Sequence, residues 1–387
     1  MFGVGSKIYH VVSGNPKAEE NSRNFIKFLS NSNLIEFEIP DDVEYFCPNV
    51  SQIRELVVPA TTKKCDVIYI SNSLINKITI KEGADTITND YQRLRGAFTN
   101  LKYLKDVILP STFKVIESYM FRGCVKLENI NLPEGLTKIK NQAFRDCEML
   151  SNVVIPDSVT ELGEYSFSNC KNMQSLKISS GVKIIPPYCF ENLGVDELVI
   201  PDSVEDINDR AFANNQSANI FMSRITIGSS VKTIGDYAFY HRESDVPSFP
   251  QTLTSIGNYA FGGIGIVDLV LSSNITSLGD ACFTDSVNMK SAVIEAAVSV
   301  IPREMLKGCM RLESVELKHM VQSISNSAFA GCVKLKSFKL YQSNPPVVND
   351  TVFSGVTVSG VNLLVPSGSL SNYSGAEVWN NFNIIEY

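Results

Sequence analysis

The residues most able to do chemistry in this 387-residue sequence are its nine cysteines and three histidines. Thiolates and imidazoles bind zinc or act as nucleophile and base, and each role needs its residues close together. Five cysteines lie three residues after a recurring position that is nearly always phenylalanine: Cys124, Cys147, Cys170, Cys309 and Cys332. Two more, Cys189 and Cys282, directly precede that position. This regularity predicts buried thiols that behave as small hydrophobic side chains.

Zinc, disulfide and catalytic arrangements fit the sequence poorly. No CxxC pair occurs, and the 23 residues from Cys124 to Cys147 include no histidine, which is wrong for zinc. His10, His241 and His319 fall in different regions, so none has an evident nucleophile and acid beside it. Stacked strands would bring successive cysteines to about 5 Å, which leaves their oxidation open. Turn positions are predicted for Gly262, Gly263, Asp157 and Asp202. We therefore predict no enzyme, no metal site and no cofactor.

The recurring aromatic position defines an internal repeat. Phenylalanine occurs at Phe98, Phe121, Phe144, Phe167 and Phe190, with a spacing of 23 residues each time. The same frame continues through Phe212, Phe239, Phe261, Phe283, Leu306, Phe329 and Phe353. Around it the sequence follows the pattern LxxIxLPxxVxxIxxxAFxxCxx, as in LSNVVIPDSVTELGEYSFSNCKN from Leu150. A fixed period of this length is the signature of a solenoid.

Each repeat reads as one strand and one return segment. Its first part alternates, so Ile130 and Leu132 are predicted to point inward while Asn129 and Asn131 point outward. Proline often follows directly and ends strand pairing, because it has no N–H to donate. The second part spaces inward anchors too closely for a regular helix, which favours extended turns or 3₁₀ segments. Strands of successive coils must then stack in parallel.

This frame predicts a β-rich solenoid of about 14 repeats, divided into three segments. Residues 1–33 form an N-terminal cap, in which Phe25, Phe28 and Leu29 suggest an amphipathic helix. Residues 34–344 form the solenoid, and residues 345–387 form a C-terminal capping unit that includes the single tryptophan, Trp379. Insertions interrupt the frame near Asn89 to Arg95 and near Tyr240 to Pro247. We expect the charged second insertion to be an exposed loop.

The repeats resemble the BspA-like (Treponema pallidum type) leucine-rich-repeat family, on the core pattern LPxxVxxIxxxAFxxC. The tail NLLVPSGSLSNYSGAEVWNNFNIIEY is similar to the C-terminal unit of such proteins from Bacteroidetes. The resemblance implies a right-handed coil with a parallel sheet on the concave face and short turns or 3₁₀ segments on the convex face. It also implies a cell-surface or secreted protein, although the first residues contain no apolar export signal.

Composition excludes two classes of partner. The net charge is −7, and no run of five or six like charges occurs, so the basic face of a nucleic-acid-binding protein is absent. No stretch of 18 apolar residues occurs, so we predict no membrane insertion. A protein or glycan ligand remains, and the sequence leaves the oligomeric state open.

The outward positions of the strands are the predicted binding surface. One row is mostly polar: Asp106, Asn129, Asn152, Ser175, Glu197 and Arg224. The next row is partly apolar: Ile108, Asn131, Val154, Lys177, Val199 and Thr226. Exposed apolar side chains there either form a binding stripe or reflect the β-propensity of branched residues. The predicted binding residues are Asn129, Asn131, Asn152, Val154, Lys177, Glu197, Val199 and Arg224.

These observations predict a non-catalytic binding module for cell-surface adhesion or host interaction. It would engage a protein or glycan through the concave sheet and the inserted loops. Arg224, Tyr341 and the loop at Tyr240 are the nearest arginine or aromatic anchors of the kind that dominate protein interfaces. The alternative is a structural component of a surface assembly or a virion.

Overall fold

The computed structural model describes residues 36–39, 45–46, 53–65, 74–88, 96–215, 222–246 and 248–387. These residues form a parallel-strand β-solenoid of about 13 turns with almost no helix, which confirms the predicted fold class. The chain divides into two compact units. Unit 1 contains Met1–Val182 and Tyr188–Val195, and unit 2 contains Lys183–Pro187 and Asp196–Tyr387. The predicted cap at residues 1–33 and the insertion near Asn89 to Arg95 lie outside the described residues.

A typical turn of unit 1 contains a first strand of three or four residues and a return strand of two. The first strands are Glu36–Glu38, Glu55–Val58, Lys77–Ile80, Asp106–Ile108, Asn129–Asn131, Asn152–Val154 and Ser175–Lys177. The return strands are Tyr45–Phe46, Lys64–Cys65, Val115–Ile116, Lys138–Ile139 and Glu161–Leu162. All pairing in unit 1 within the described ranges is parallel, in separate sheets of first strands and of return strands.

Unit 2 repeats this arrangement. Its first strands are Glu197–Val199, Arg224–Thr226, Asp268–Leu271, Ser291–Ile294, Ser314–Leu317, Ser337–Leu340, Asn362–Val365 and Asn383–Glu386. Its return strands are Ile184–Ile185, Asp206–Ile207, Thr233–Ile234, Ser255–Ile256, Ser277–Leu278, Val300–Ile301 and Ser323–Ile324. The last six first strands form one parallel sheet. A short α-helix, Leu370–Ser374, and 3₁₀ helices at Val358–Gly360 and Trp379–Asn381 belong to the tail.

The return segments therefore contain short strands and turns, and the 3₁₀ alternative is not what the described repeats adopt. Most turns are closed around the aromatic position by two left-handed residues. Tyr165, at φ 56°, and Asn169, at φ 64°, flank Phe167 in this way. Asparagine, aspartate and glycine recur at the second of these positions because they tolerate that conformation at low cost. Gly308, at φ 74°, is one example.

The interior is a ladder of aromatic rings. In unit 1, the ring centroids of Phe121 and Phe144 are 5.4 Å apart, and those of Phe144 and Phe167 are 5.1 Å apart. In unit 2, Phe261 stacks at 5.2 Å on Phe239 and at 5.4 Å on Phe283. These rings are fully buried. Each turn thus covers the apolar edge of its neighbour, which is why no single repeat could fold alone.

The position directly after each first strand's last inward residue is here called the proline slot, and a proline there limits how far the strands pair. Glu295 fills this slot after Ile294, and its N–H donates to the Leu271 carbonyl at 2.9 Å. Pro133 fills the slot after Leu132 and has no N–H for the Leu109 carbonyl. Accordingly, Asp268–Leu271 pairs with the next strand over four residues, whereas Asp106–Ile108 pairs over three.

The C-terminal tail packs against the aromatic ladder of unit 2. Trp379 is buried, and its ring lies 5.9 Å from Phe338 and 5.7 Å from Phe353. Its indole N–H donates to the Pro346 carbonyl at 2.9 Å. Tyr373 is buried as well, and its hydroxyl donates to the Gln342 carbonyl at 2.8 Å. The tail therefore shields apolar rings that would otherwise contact water.

Candidate binding surface

Five of the eight predicted binding residues lie on the outer face of the first strands of unit 1: Asn129, Asn131, Asn152, Val154 and Lys177. All five are exposed, as strand alternation requires, because Val153 and Ile155 on the opposite side are buried. Val154 is 59% exposed. More than half of this apolar side chain is therefore open to contact with a ligand.

The structure brings three of these residues together. Asn129, Asn131 and Asn152 line one open depression of about 480 Å³, which Lys77 and Ile108 also line. Ile108 is 46% exposed, and it lies beside Asn131 in register. An amide with two donors and an acceptor therefore stands next to an exposed aliphatic side chain.

Hydrogen bonds between neighbouring turns orient the polar row of this face. The Asn129 amide donates to the Asp106 carboxylate at 2.8 Å. The Ser175 hydroxyl donates to the Asn152 amide oxygen at 2.7 Å. Lys177 forms an ion pair with Asp157 at 3.2 Å. A face whose side chains are already held by their neighbours loses little entropy when a partner binds.

The other three predicted residues, Glu197, Val199 and Arg224, belong to unit 2. Glu197 pairs in register with Arg224, and Val199 pairs with Thr226, so all three lie on one two-stranded sheet. They are exposed, and Val199 reaches the same 59% as Val154. Unit 2 therefore presents a smaller patch, in which an exposed valine lies near two charges of opposite sign.

The groups that could have done chemistry are mostly used by the fold. The Cys147 thiol donates to the Phe121 carbonyl at 3.2 Å, and Cys124 donates to Phe98 at 3.1 Å. Burial raises the pKa of the Cys124 thiol to about 12. A thiol with so high a pKa stays protonated near neutral pH and is a poor nucleophile or metal ligand. Seven of the nine cysteines are buried and free, as the repeat frame predicted.

Carboxylates after the first strands act as turn residues. Asp157 accepts a hydrogen bond from the Ser180 N–H at 3.0 Å, and Asp202 accepts one from the Ser229 N–H at 2.7 Å. The bond from Ser180, with smaller effects of Lys177, lowers the pKa of Asp157. His319 is exposed, and Gly263 has φ 73°, as predicted for a turn glycine. Within the described ranges no cluster of histidine, cysteine and carboxylate side chains is arranged to hold a metal ion.

The insertion near Tyr240 to Pro247 differs from the expected exposed loop. Arg242, Ser244 and Val246 are buried, while His241 and Glu243 are exposed. Asp245 forms a parallel bridge to Arg224, which holds the segment against the neighbouring first strand, and buried and exposed residues alternate along it. The Arg242 guanidinium donates to the Phe212 carbonyl at 2.6 Å, and burial lowers its pKa to about 9. The predicted exposure of this charged segment is wrong for its central arginine.

Unit 2 also contains a surface that the sequence frame revealed only in part. Tyr341, one of the predicted anchors, lies with its ring centroid 5.9 Å from that of Tyr387, and the two rings meet edge to face. Tyr387 was not predicted as a surface anchor. The signal for it was present, because NIIEY repeats the strand alternation and puts tyrosine in the proline slot. Next to these rings lies an open groove of about 1050 Å³.

Residues 94–219 and 232–359 match the model of the BspA type leucine-rich-repeat region, in six copies. The chain belongs to the BspA-type leucine-rich-repeat family. No curated protein matches the chain in sequence. Leucine-rich-repeat proteins are generally protein-interaction modules and are typically non-catalytic scaffolds. No helix in the described part of the chain is long and apolar enough to cross a membrane.

The chain is similar to solved structures of the same repeat class. A leucine-rich repeat protein from Bacteroides ovatus is 18% identical, with 91% of this chain and 92% of that chain covered, at a TM-score of 0.55. The pneumococcal vaccine antigen PcpA is 17% identical, with 91% and 85% covered, at a TM-score of 0.49. A leucine rich cell surface protein from Faecalibacterium prausnitzii is 17% identical, with 89% and 90% covered, at a TM-score of 0.42.

Proposed function

We propose that this protein binds a protein partner through the first-strand face of unit 1. The observation that carries the proposal is the depression in which Asn129, Asn131 and Asn152 lie together beside the exposed Ile108. Protein interfaces combine an apolar centre with a rim of hydrogen-bonding groups. Ile108 and Val154 supply the apolar contacts, and the asparagine amides supply the directional ones.

The location we propose is the cell surface, where the protein would serve adhesion or host interaction. Membership of the BspA-type family supports this location. A surface protein of this kind needs a rigid platform, and the stacked turns supply one because every first strand of the depression is tied to a neighbour by hydrogen bonds. The patch of Glu197, Val199 and Arg224 is proposed as a second contact area on unit 2.

The test is capture of surface proteins by the purified chain and by two matched valine variants. Val154→Glu places a charge in the proposed face, and Val333→Glu places the same charge at a turn residue of similar exposure, 57% against 59%. Partners retained by wild type and Val333→Glu but lost by Val154→Glu would support the proposal. Circular dichroism checks that both variants fold.

Other outcomes separate the alternatives. Equal capture by all three proteins would move the contact away from the unit 1 face and contradict the proposal. Capture of no partner by any of them would favour the structural role in a surface assembly. A reduction of tenfold or more in affinity is about the size expected when a charge is buried at the centre of an apolar contact.

A further inference from the structure

The groove of unit 2 and the tyrosine pair beside it form a surface distinct from the proposed protein contact. Along the groove, hydroxyl and amide groups alternate with a few apolar side chains: Ser299, Val300, Met320, Gln322, Gln342 and Asn344. Tyr341 directly precedes Gln342, and the strand register puts Tyr341 opposite Lys318; both Gln342 and Lys318 line the groove. The ring pair therefore borders the groove at Tyr341.

Exposed aromatic rings are rare in this protein, which makes the pair informative. In the part of the chain that the structure describes, three aromatic side chains are classed as exposed, namely Tyr103, Tyr341 and Tyr387. Two of the three contact each other. The strand register puts Pro366 between Tyr341 and Tyr387, and their rings meet at 5.9 Å. Two rings 40% and 49% exposed at one point are a stacking platform.

Polar groups fix this platform in place. The Tyr341 hydroxyl donates to the Glu316 carboxylate at 3.0 Å, and the Tyr387 hydroxyl donates to the Leu340 carbonyl at 3.2 Å. The Lys339 ammonium lies in the angle between the rings, 4.7 Å and 4.4 Å from their centroids. Because hydrogen bonds and a cation hold the rings, a ligand would meet a preformed surface.

The charges of this surface are neutralised locally. Lys318 pairs with Glu295 at 2.8 Å, Glu316 accepts the Tyr341 hydroxyl, and Lys339 stands over the rings. A strongly charged ligand would find no excess of opposite charge there. An uncharged ligand with both hydroxyl edges and apolar C–H faces matches the hydroxyls, amides and aromatic rings together.

We propose that the Tyr341–Tyr387 platform and its groove bind a neutral oligosaccharide. A pyranose ring presents C–H groups on its faces, which the negative face of an aromatic ring attracts. Its hydroxyl edges both donate and accept, as do the exposed Gln322 and Asn344 amides and the Ser299 hydroxyl. The Glu316 carboxylate adds a charged acceptor beside the rings. The groove volume of about 1050 Å³ leaves room for more than one sugar ring.

The test uses the full chain on an array of short neutral oligosaccharides, followed by calorimetry with whichever array member binds. Tyr341→Ala and Tyr387→Ala each remove one ring of the platform. Tyr103→Ala is the matched control, because it removes a tyrosine of similar exposure from unit 1. We expect each platform variant to weaken binding about tenfold or more, and the control to leave it unchanged.

Further variants keep the assignment falsifiable if a platform variant folds poorly. Tyr341→Phe keeps the ring but loses the bond to Glu316, so its affinity should fall less than that of Tyr341→Ala. Val154→Glu should leave oligosaccharide binding intact, which separates this site from the unit 1 face. Binding unaffected by loss of either ring would overturn the proposal. The proposal would also be overturned if no neutral oligosaccharide on the array bound. It would be overturned as well if every variant except Tyr341→Ala still captured protein partners.

Discussion

The first strands of unit 1 and those at residues 268–340 of unit 2 follow one repeat but differ at the proline slot. In unit 1 the slot holds Pro110 and Pro133, and in unit 2 it holds Glu295, Lys318 and Tyr341. Where proline is present, the preceding turn loses one cross-turn hydrogen bond and the strands pair over three residues. In the sheet at residues 268–340, where proline is absent, they pair over four. Ser179 and Gly228 also leave the slot without proline, and their strands still pair over three.

The same substitution changes the surface. A residue in the slot alternates with buried neighbours, so its side chain joins the outer row of the sheet. In unit 2 this adds the Lys318 to Glu295 ion pair and the Tyr341 hydroxyl to the face. Pro110 and Pro133 add no hydrogen-bonding side chain to that row, although Lys81, in the slot of an earlier turn of unit 1, pairs with Glu38. A proline at this one position therefore limits the strand pairing and also removes a side chain that the sheet could offer a ligand.

The largest expected effect tests whether the two units depend equally on their buried aromatic rings, despite the difference at the proline slot. Phe144→Ala in unit 1 and Phe261→Ala in unit 2 each remove a ring stacked on two others. We expect each to lower the free energy of unfolding by about 3 to 5 kcal/mol, through lost burial and the cavity left behind. Urea unfolding followed by circular dichroism measures both. A loss in one unit only would show that the ladders are not equivalent.

The next prediction places a proline in the proline slot of unit 2. Glu295→Pro removes the N–H that donates to Leu271 and leaves that carbonyl without its partner. We expect the free energy of unfolding to fall by about 1 to 3 kcal/mol, measured by urea unfolding. Glu295→Ala is the control, because it removes only the exposed ion pair with Lys318 and should change stability little. Equal losses for the two variants would assign the effect to the side chain instead of the backbone.

The fold could be predicted from the sequence because the period is imposed by the core. Phe144 and Ile155 occupy repeat positions that are predicted to face inward in each turn, and both are buried in the structure. The contact of Tyr341 with Tyr387 could not be predicted, since it depends on the register that spans Pro366. The burial of Arg242 could not be predicted either, because it depends on where the Phe212 carbonyl lies. Local pattern specifies the interior, whereas these contacts come from the stacking of particular turns.

The converse substitution is expected to have a smaller effect. Pro133→Ala restores an N–H opposite the Leu109 carbonyl in unit 1. The added hydrogen bond and the greater freedom of the unfolded chain oppose each other, so stability should change by less than about 1 kcal/mol. Amide hydrogen exchange gives the sharper reading. A protected amide at the substituted position would show the fourth pairing position, and a fast-exchanging one would show that proline alone does not limit the strand.

The smallest effect compares the ion pairs that link turns. In unit 2, Glu205 lies 2.7 Å from both Lys183 and Lys232, and their hydrogen bonds lower the pKa of Glu205 to about 2 from 4.5. Because the folded-state pKa is depressed, this contribution is present above about pH 4.5 and is lost as the pH falls toward 2. The melting temperatures of wild type and Glu205→Gln should therefore converge on acidification.

The matched change in unit 1 is Glu161→Gln. Glu161 meets a single lysine, Lys138, at 2.7 Å, and both side chains are about half exposed. An exposed pair with one partner contributes little, so its melting temperature should stay near that of wild type at every pH. A gap between wild type and Glu205→Gln that persists at low pH would contradict the ionic origin. If Glu161→Gln lowered the melting temperature as much as Glu205→Gln does, the second lysine beside Glu205 would contribute nothing. The two glutamates would then be equivalent although one has one lysine partner and the other has two.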